Sequence, residues 1–284
     1  MIRILLCSWQ LCDDSPMNPI LPGLLSILFY LLASGLLVKR LSRGNTDGQY
    51  APDSAALPAL VAIAAHAVLL YPAIITPGGL NLGFVYAASL VALTSACLLA
   101  VSTFFQPVGN LGVVVFPVAA ATIGLLLAWP GERLVADASW QLETHILASL
   151  LAYSILALAV FQSILLSIQD RHLRNRQPGG CIRALPPLAV MESLLFQMIA
   201  TGFALLSLAL VTGFLFLEDI FAQHLVHKTT LSIIAWFVFG ILLWGRWRFG
   251  WRGQTALRWT IGGLIFLMLA NFGSKVVLEL VLTG

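Results

Sequence analysis

The sequence predicts an all-α, polytopic membrane bundle of about eight transmembrane helices, with both termini on the outer, periplasmic side. Three observations lead to this fold class: the composition, the length of the apolar runs and the charge of the loops. Of 284 residues, 60% are apolar and only 10% are charged, and the mean hydropathy is +0.95. A soluble domain carries about 25% charged residues, so this chain has too few charges to cover a water-exposed surface.

The same composition excludes other classes of protein. Disordered chains are poor in apolar residues, which this chain is not. A net charge of +3 is too small for the dense basic surface that binds nucleic acid, so membrane lipids rather than nucleic acid are the expected surroundings. The four cysteines form no Cys-x-x-Cys pair, so neither zinc binding nor thiol–disulfide chemistry is indicated.

Eight continuous apolar runs are long enough to cross a bilayer. A helix needs about 20 apolar residues to span the hydrocarbon core, and continuous runs differ from the alternating strands of a membrane barrel. The predicted spans 1–8 cover residues 19–38, 56–75, 80–104, 108–128, 144–168, 193–216, 228–244 and 256–282. We predict a single transmembrane domain over residues 17–284, with spans 1–4 at about 19–128 and spans 5–8 at about 144–282.

Residues 1–16 fit this domain poorly, because they include Arg3, Asp13 and Asp14 and are too short to span. Met17 opens a segment typical of a start codon followed by a signal-anchor span. Two interpretations stay open. Translation begins at Met17 and the preceding residues are a non-native extension, or those residues form a short ordered or disordered tail on the outer face.

The loop charges predict the orientation. The loops after spans 1, 5 and 7, together with Arg258 at the start of span 8, hold eleven of the 15 basic residues, and with eight spans these loops lie on one side. Cytoplasmic loops are enriched in Lys and Arg. We therefore expect a multi-pass protein of the cell inner membrane with both termini facing the periplasm.

His145, at the outer start of span 5, is the first candidate site residue. Ser149 and Tyr153 follow at i+4 and i+8, so the three form one stripe, and small residues beside them permit close helix packing. Imidazole is a common ligand of transition metals and haem. His145 is therefore a candidate axial ligand of iron, and the alternative is an interfacial histidine hydrogen-bonded to a neighbouring loop.

Three more histidines lie in or beside the membrane, where ionisable groups are costly and often functional. His224 and His227, just before span 7, could form a ligand cluster facing His145 or belong to an ordinary amphipathic loop. His66, near the middle of span 2, could ligate haem, relay protons, or bond a carbonyl of another span as a structural histidine.

Lys275 and Glu279 in span 8 are four residues apart and can neutralise each other as an ion pair. Alternatively, Lys275 could hold a carboxylate such as a haem propionate. The sequence contains no GxSxG, HExxH or P-loop motif and no nucleophile–base pair. We therefore do not expect an enzyme.

The second half of the chain carries a familiar set of motifs. It contains HILASLLAYSILALAVFQ at 145–162, HKTTLSIIAWFVFGILLWGR at 227–246 and GWRG at 250–253. These segments resemble the CcsA/CcmC-type cytochrome c assembly proteins, which handle haem, and most closely their YpjD/HemX-like inner-membrane branch. The resemblance covers spans 5–8 by motif and spans 1–4 by layout.

The resemblance implies that His145 is an axial haem ligand and that Tyr153 matches the Tyr position that follows it. Lys228 and Thr230 match the family's Pro-Lys-Glu-Thr stretch. The tryptophan-rich WWD loop that precedes this stretch in haem-delivery members is absent here. A second outer histidine of the family falls at about Leu282 and is also missing, so we consider His227 or His224 as a substitute metal ligand.

Three functions follow from these observations. The first is haem binding or haem handling in cytochrome c biogenesis, with haem as the bound group and other biogenesis or inner-membrane proteins as partners. The second is a haem-independent regulatory or structural membrane protein. The third is a small-molecule transporter that uses His66 and the Lys275–Glu279 pair as a proton relay, although the sequence shows no repeat typical of transporters.

Overall fold

The computed structural model describes residues 19–42, 54–76, 79–129, 134–135, 140–175, 185–216 and 223–270. The predicted extension at 1–16 lies outside these residues. Eight α-helices are present in the described ranges: α1 Ile20–Ser42, α2 Ala56–Ile74, α3 Phe84–Ser102, α4 Gly112–Ala128, α5 Trp140–Arg174, α6 Leu188–Phe216, α7 Gln223–Phe249 and α8 Gly253–Met268.

Seven of these helices, α1 to α7, are long and apolar enough to cross a membrane. Helix α8 has 16 residues in the described part of the chain, and its predicted continuation to residue 282 lies beyond residue 270. The spans are helical because backbone polar groups in lipid must be satisfied within the segment. The prediction of an all-α polytopic membrane bundle is confirmed.

The helix directions place the ends of α1, α5 and α7 at one end of the bundle. Helix α6 runs antiparallel to α5, because His145 near the start of α5 contacts Ala209 near the end of α6. Helix α7 returns along α6, where Arg246 near its end contacts Glu192. Since α1, α5 and α7 all finish with basic residues, we name this the basic end and the opposite end the site end. Which end faces the cytoplasm stays a prediction.

Two apolar cores fill the bundle. The first joins α1 to α4 around Tyr30, Leu70 and Leu99, and the second joins α5 to α8 around Leu156 and Phe239. The side chains named here are all at most 2% exposed. The cores fall on either side of the interface between α3 and α5.

The long helix α5 connects the two halves. The Ser154 hydroxyl lies 3.3 Å from the Val91 carbonyl oxygen of α3. On the α6 side, Gly202 lies so close to Leu156 that a Cβ there would approach its side chain to 2.6 Å. Small residues thus let α5 pack closely against α6, as they do in many membrane helix pairs.

A short antiparallel sheet lies in the connections at the site end. It consists of β1 Ile75–Thr76, β2 Gly79–Asn81 and β3 Leu134–Val135, in that order. Ile75 pairs with Leu80, which also pairs with Val135. The sheet ties the connection between α2 and α3 to the connection between α4 and α5, next to the start of α5.

The GWRG segment forms the tight turn between α7 and α8 at the basic end. Gly250 and Gly253 have φ values of 66° and 53°, a left-handed conformation that glycine adopts at little cost. Trp251 packs against Gly245 of α7. Arg252 reaches Glu192 with an N–O distance of 3.5 Å. The glycines therefore allow one turn to bring both an aromatic ring and a charge onto the neighbouring helices.

Glu192, at the start of α6, accepts a hydrogen bond from the Arg246 guanidinium and forms an ion pair with Arg252. The Arg246 guanidinium also lies 4.5 Å above the ring of Phe196. Burial of a carboxylate is costly unless the charge is paired, and Glu192 is 9% exposed. The cluster therefore joins α6, α7 and the following turn.

Candidate functional site

Two adjoining cavities lie at the site end of the second half. The larger, about 420 Å³, is enclosed by His145, the last turns of α6 and the first turns of α7. We name it the α6–α7 cavity. The smaller, about 290 Å³, lies between α3, α5 and α6 and is named the α3–α5 cavity. His145, Ala209, Leu210, Lys228 and Ser232 line both.

The α6–α7 cavity opens between exposed apolar side chains. Val211, Phe214 and Leu215 of α6 line it, and these side chains are more than half exposed. Ile233 of α7 lines it from the opposite helix. Among the described residues, the mouth of the cavity is therefore apolar.

The imidazole of His145 is held against α6 through one ring nitrogen. Its Nδ1 lies 2.9 Å from the Ala209 carbonyl oxygen and 3.4 Å from the Thr212 hydroxyl. A carbonyl oxygen only accepts hydrogen bonds, so Nδ1 carries the proton in a neutral ring. Nε2 then has a lone pair, and no described residue forms a hydrogen bond with it. Metal-binding histidines have this arrangement, in which the second nitrogen donates to a carbonyl.

Gly213 provides the space for this ring. A Cβ at this position would lie 2.9 Å from His145 Cε1 and 3.2 Å from Nδ1. Thr212, beside it, is buried, and its hydroxyl also bonds the Leu208 carbonyl at 2.9 Å. Neither residue was predicted from the sequence. A glycine in the last turn of an apolar span is a weak signal unless the partner helix is known.

The stripe predicted on α5 faces one cavity. Ser149 and Tyr153 line the α3–α5 cavity together with His145. Tyr153 is 8% exposed and donates a hydrogen bond to the Leu267 carbonyl of α8 at 3.2 Å. Ser232 of α7 also approaches the Tyr153 hydroxyl. Polar groups from three helices therefore meet beneath His145.

Lys228 brings a positive charge to the same place. It lies in the second turn of α7 and lines both cavities. In the described lining of the two cavities, no other lysine, arginine or carboxylate is present. The remaining lining is mainly apolar, so the site combines an imidazole, a cation and an apolar wall.

His66 lies in the first half, away from these cavities. It is fully buried, with Nε2 2.9 Å from the Ser89 hydroxyl and Nδ1 3.3 Å from the Tyr30 hydroxyl. Both ring nitrogens are therefore occupied by hydroxyl groups of α1 and α3, not by a carbonyl of another span. His66 links three helices and does not share the cavity of His145.

The remaining predicted site residues lie partly or wholly outside the described residues. His224 and His227 lie in the first turns of α7, ahead of Lys228, and their side chains lie outside the described residues. Lys275, Glu279 and the position of Leu282 lie beyond residue 270. In the described ranges, no three His, Cys, Asp or Glu side chains form a metal-binding cluster.

The sequence was compared with models of known protein families, and one of them matches. Residues 54–282 match the model of the cytochrome c assembly protein family. This range contains both cavities and predicted spans 2 to 8. The chain belongs to the cytochrome c assembly protein family. The resemblance inferred from the motifs of spans 5–8 is therefore confirmed.

The inner membrane protein YpjD of Escherichia coli strain K12 is 30% identical over 262 residues, which cover 91% of this chain and 98% of that protein. An uncharacterised 28.8 kDa protein of Azospirillum brasilense is 31% identical over 166 residues, or 58% of this chain and 61% of that protein. No solved structure matches the chain. With its membrane spans, the chain is a multi-pass protein of the inner membrane.

Proposed function

We propose that this member of the cytochrome c assembly family binds haem at the site end and handles it as cargo during cytochrome c biogenesis. His145 is the axial ligand and binds the iron through Nε2. The protein acts by binding and not by turnover of a substrate. Its partners are membrane lipids, haem and other cytochrome c biogenesis or inner-membrane proteins.

The observation that carries this proposal is the hydrogen bond from His145 Nδ1 to the Ala209 carbonyl. It fixes the ring and leaves Nε2 unprotonated, as iron ligation requires. The described residues otherwise fit haem. Ligand cavities commonly measure about 300–1,000 Å³ and have apolar walls with few polar groups, and both cavities at His145 fall within or close to this range.

The second ligand is proposed to come from α7. His227, or else His224, precedes Lys228 in the first turns of that helix, and the α7 residues that follow line the cavity. A ligand from this segment would replace the family's second outer histidine. Tyr153 and Ser149 would then lie in the polar floor beneath the bound group rather than on the iron.

An absorption spectrum tests the proposal. The protein is purified in mild detergent, titrated with haem and reduced, and the Soret band is recorded for the wild type and for His145→Ala. We expect a saturable band in the wild type that is lost or shifted in the variant, because an axial nitrogen is removed. His172→Ala is the matched control, since His172 is exposed at the basic end and bonds its own helix.

The same titration on His227→Ala and His224→Ala assigns the second ligand, and a change in the spin-state bands is expected in one of the two. A band that survives His145→Ala unchanged would contradict the proposal. A wild type without any saturable band would favour a haem-independent regulatory or structural protein.

A further inference from the structure

Aromatic rings form a continuous row over the GWRG turn between α7 and α8, at the basic end. The ring centroids of Trp244 and Phe249 are 5.3 Å apart, and those of Phe249 and Trp251 are 6.3 Å apart. Trp251 continues the row to Trp259 of α8 at 5.4 Å. Trp244 and Phe249 are more than half exposed, whereas Trp251 and Trp259 pack against the second apolar core. We name this row the aromatic ladder, and its exposed half is available to a ligand.

Arginines with exposed side chains accompany the aromatic ladder. Arg248 of α7 lies 5.9 Å from the centroid of the Phe249 ring. Arg258 lies in the second turn of α8, one residue before Trp259. Glu192 is already paired with two other arginines, and within the described ranges neither Arg248 nor Arg258 forms an ion pair with a carboxylate. The surface around the turn therefore has two exposed positive charges that a ligand can neutralise.

The position of the ladder along α7 narrows the chemistry of this ligand. The apolar span of α7 ends at Phe249, so the ladder and Arg248 lie at the level where a membrane helix meets the lipid headgroups, a level at which tryptophan is enriched. A guanidinium binds phosphate through two parallel N–H groups, and basic side chains near the membrane surface attract anionic lipids. A ligand that fits both features has a negatively charged phosphate and an apolar body.

We propose that the α7–α8 turn binds an anionic phospholipid, with Arg248 and Arg258 on its phosphate and the exposed rings of the ladder against its glycerol and first acyl carbons. In phosphatidylcholine the choline cancels the charge of the phosphate, so that lipid gains the ring contacts without the net attraction. Glu192 stays with its own arginines and holds the turn against α6. The site lies at the opposite end of the bundle from His145 and does not depend on haem.

Native mass spectrometry tests the proposal on the full chain in mild detergent. Phosphatidylglycerol and phosphatidylcholine with the same acyl chains are titrated separately, and the fraction of protein with bound lipid gives each affinity. One basic residue near a membrane surface contributes about fivefold to the binding of an anionic lipid. We therefore expect Arg248→Gln and Arg258→Gln each to lower the affinity for phosphatidylglycerol by about this factor, with little change for phosphatidylcholine.

Arg171→Gln is the matched control, because it removes an exposed arginine at the end of α5, also at the basic end. Its affinity for phosphatidylglycerol should equal that of the wild type. The three variants change the net charge by the same amount, so a general attraction between the basic end and anionic lipid would lower the affinity equally in each. Thermal unfolding in phosphatidylcholine should be the same for all of them, since the altered side chains are exposed.

The inference is overturned if Arg171→Gln weakens phosphatidylglycerol binding as much as Arg248→Gln does, or if the wild type binds the two lipids equally. Glycerol phosphate, the soluble counterpart of the headgroup, should not displace the lipid at equal concentration, because it has no acyl chains to contact the ladder. Displacement by glycerol phosphate would overturn the inference in favour of a site for a soluble anion.

Discussion

Replacing Gly213 by alanine tests whether the contact between α5 and α6 prepares His145 as a ligand. The added Cβ would lie 2.9 Å from Cε1 and 3.2 Å from Nδ1 of the His145 ring. Carbon atoms in contact prefer about 3.5–4.0 Å, so the ring must retreat from α6 by roughly 0.6 Å. Because Ala209 is also on α6, the retreat lengthens the bond from Nδ1 to its carbonyl.

The size of the effect follows from that bond. At present the Nδ1–O distance is 2.9 Å, and a shift of roughly 0.6 Å takes it to the limit at which a hydrogen bond is lost. Loss of an outer partner of a ligating histidine commonly costs about tenfold to a hundredfold in metal affinity. We therefore expect Gly213→Ala to lower haem affinity by about this factor while the axial ligand remains His145.

The assay is a haem titration followed by the Soret band, with thermal unfolding measured on the same samples. Alanine favours a helix over glycine by up to about 1 kcal/mol, so Gly213→Ala should stay folded. Gly124→Ala in α4 is the matched control, because no heavy atom lies within 4 Å of its Cβ position. Equal haem affinities for the two variants would refute the argument that packing against α6 holds the ring.

Two further predictions concern the basic end and the orientation. Glu192→Gln leaves Arg246 and Arg252 facing a neutral amide and should destabilise the protein by about 1–3 kcal/mol in thermal unfolding. Asp170→Asn, which breaks an exposed pair, should cost less than about 1 kcal/mol, and equal losses would contradict this reasoning. In a background without native cysteines, an impermeant maleimide should label Trp140→Cys in intact cells. It should label Arg248→Cys only after permeabilisation, and the reverse pattern would refute the predicted orientation.

The fold was largely predictable because the bilayer imposes a simple rule. Each apolar run of about 20 residues must form a helix that satisfies its own backbone, so the number and order of helices follow from the sequence. Pairing of Glu192 with an arginine was also predictable, because a carboxylate at a span end beside arginine-rich loops has few other partners. Which arginines it pairs with was not. The short sheet from Ile75 to Val135 was not predicted, since its strands of two or three residues carry no periodic pattern.

The site was predictable only in part, because its geometry depends on contacts between distant segments. The spacing of His145, Ser149 and Tyr153 predicts a common stripe, and the structure brings these residues to one cavity. The carbonyl that orients His145 is 64 residues away, and nothing in the sequence of α6 singles out Ala209. Local periodicity gives the face of a helix but not the register between two helices.

His66 and His145 show why a histidine within a membrane span does not by itself indicate a ligand. Both are in apolar helices, yet the hydroxyls of Tyr30 and Ser89 occupy both nitrogens of His66. Iron ligation there would have to break a buried hydrogen bond and leave a hydroxyl unsatisfied, at a cost of about 1–3 kcal/mol. At His145 the single strong partner lies on Nδ1, and ligation through Nε2 breaks no described hydrogen bond. The two histidines therefore differ in which nitrogen remains available, and this difference favours His145 as the ligand.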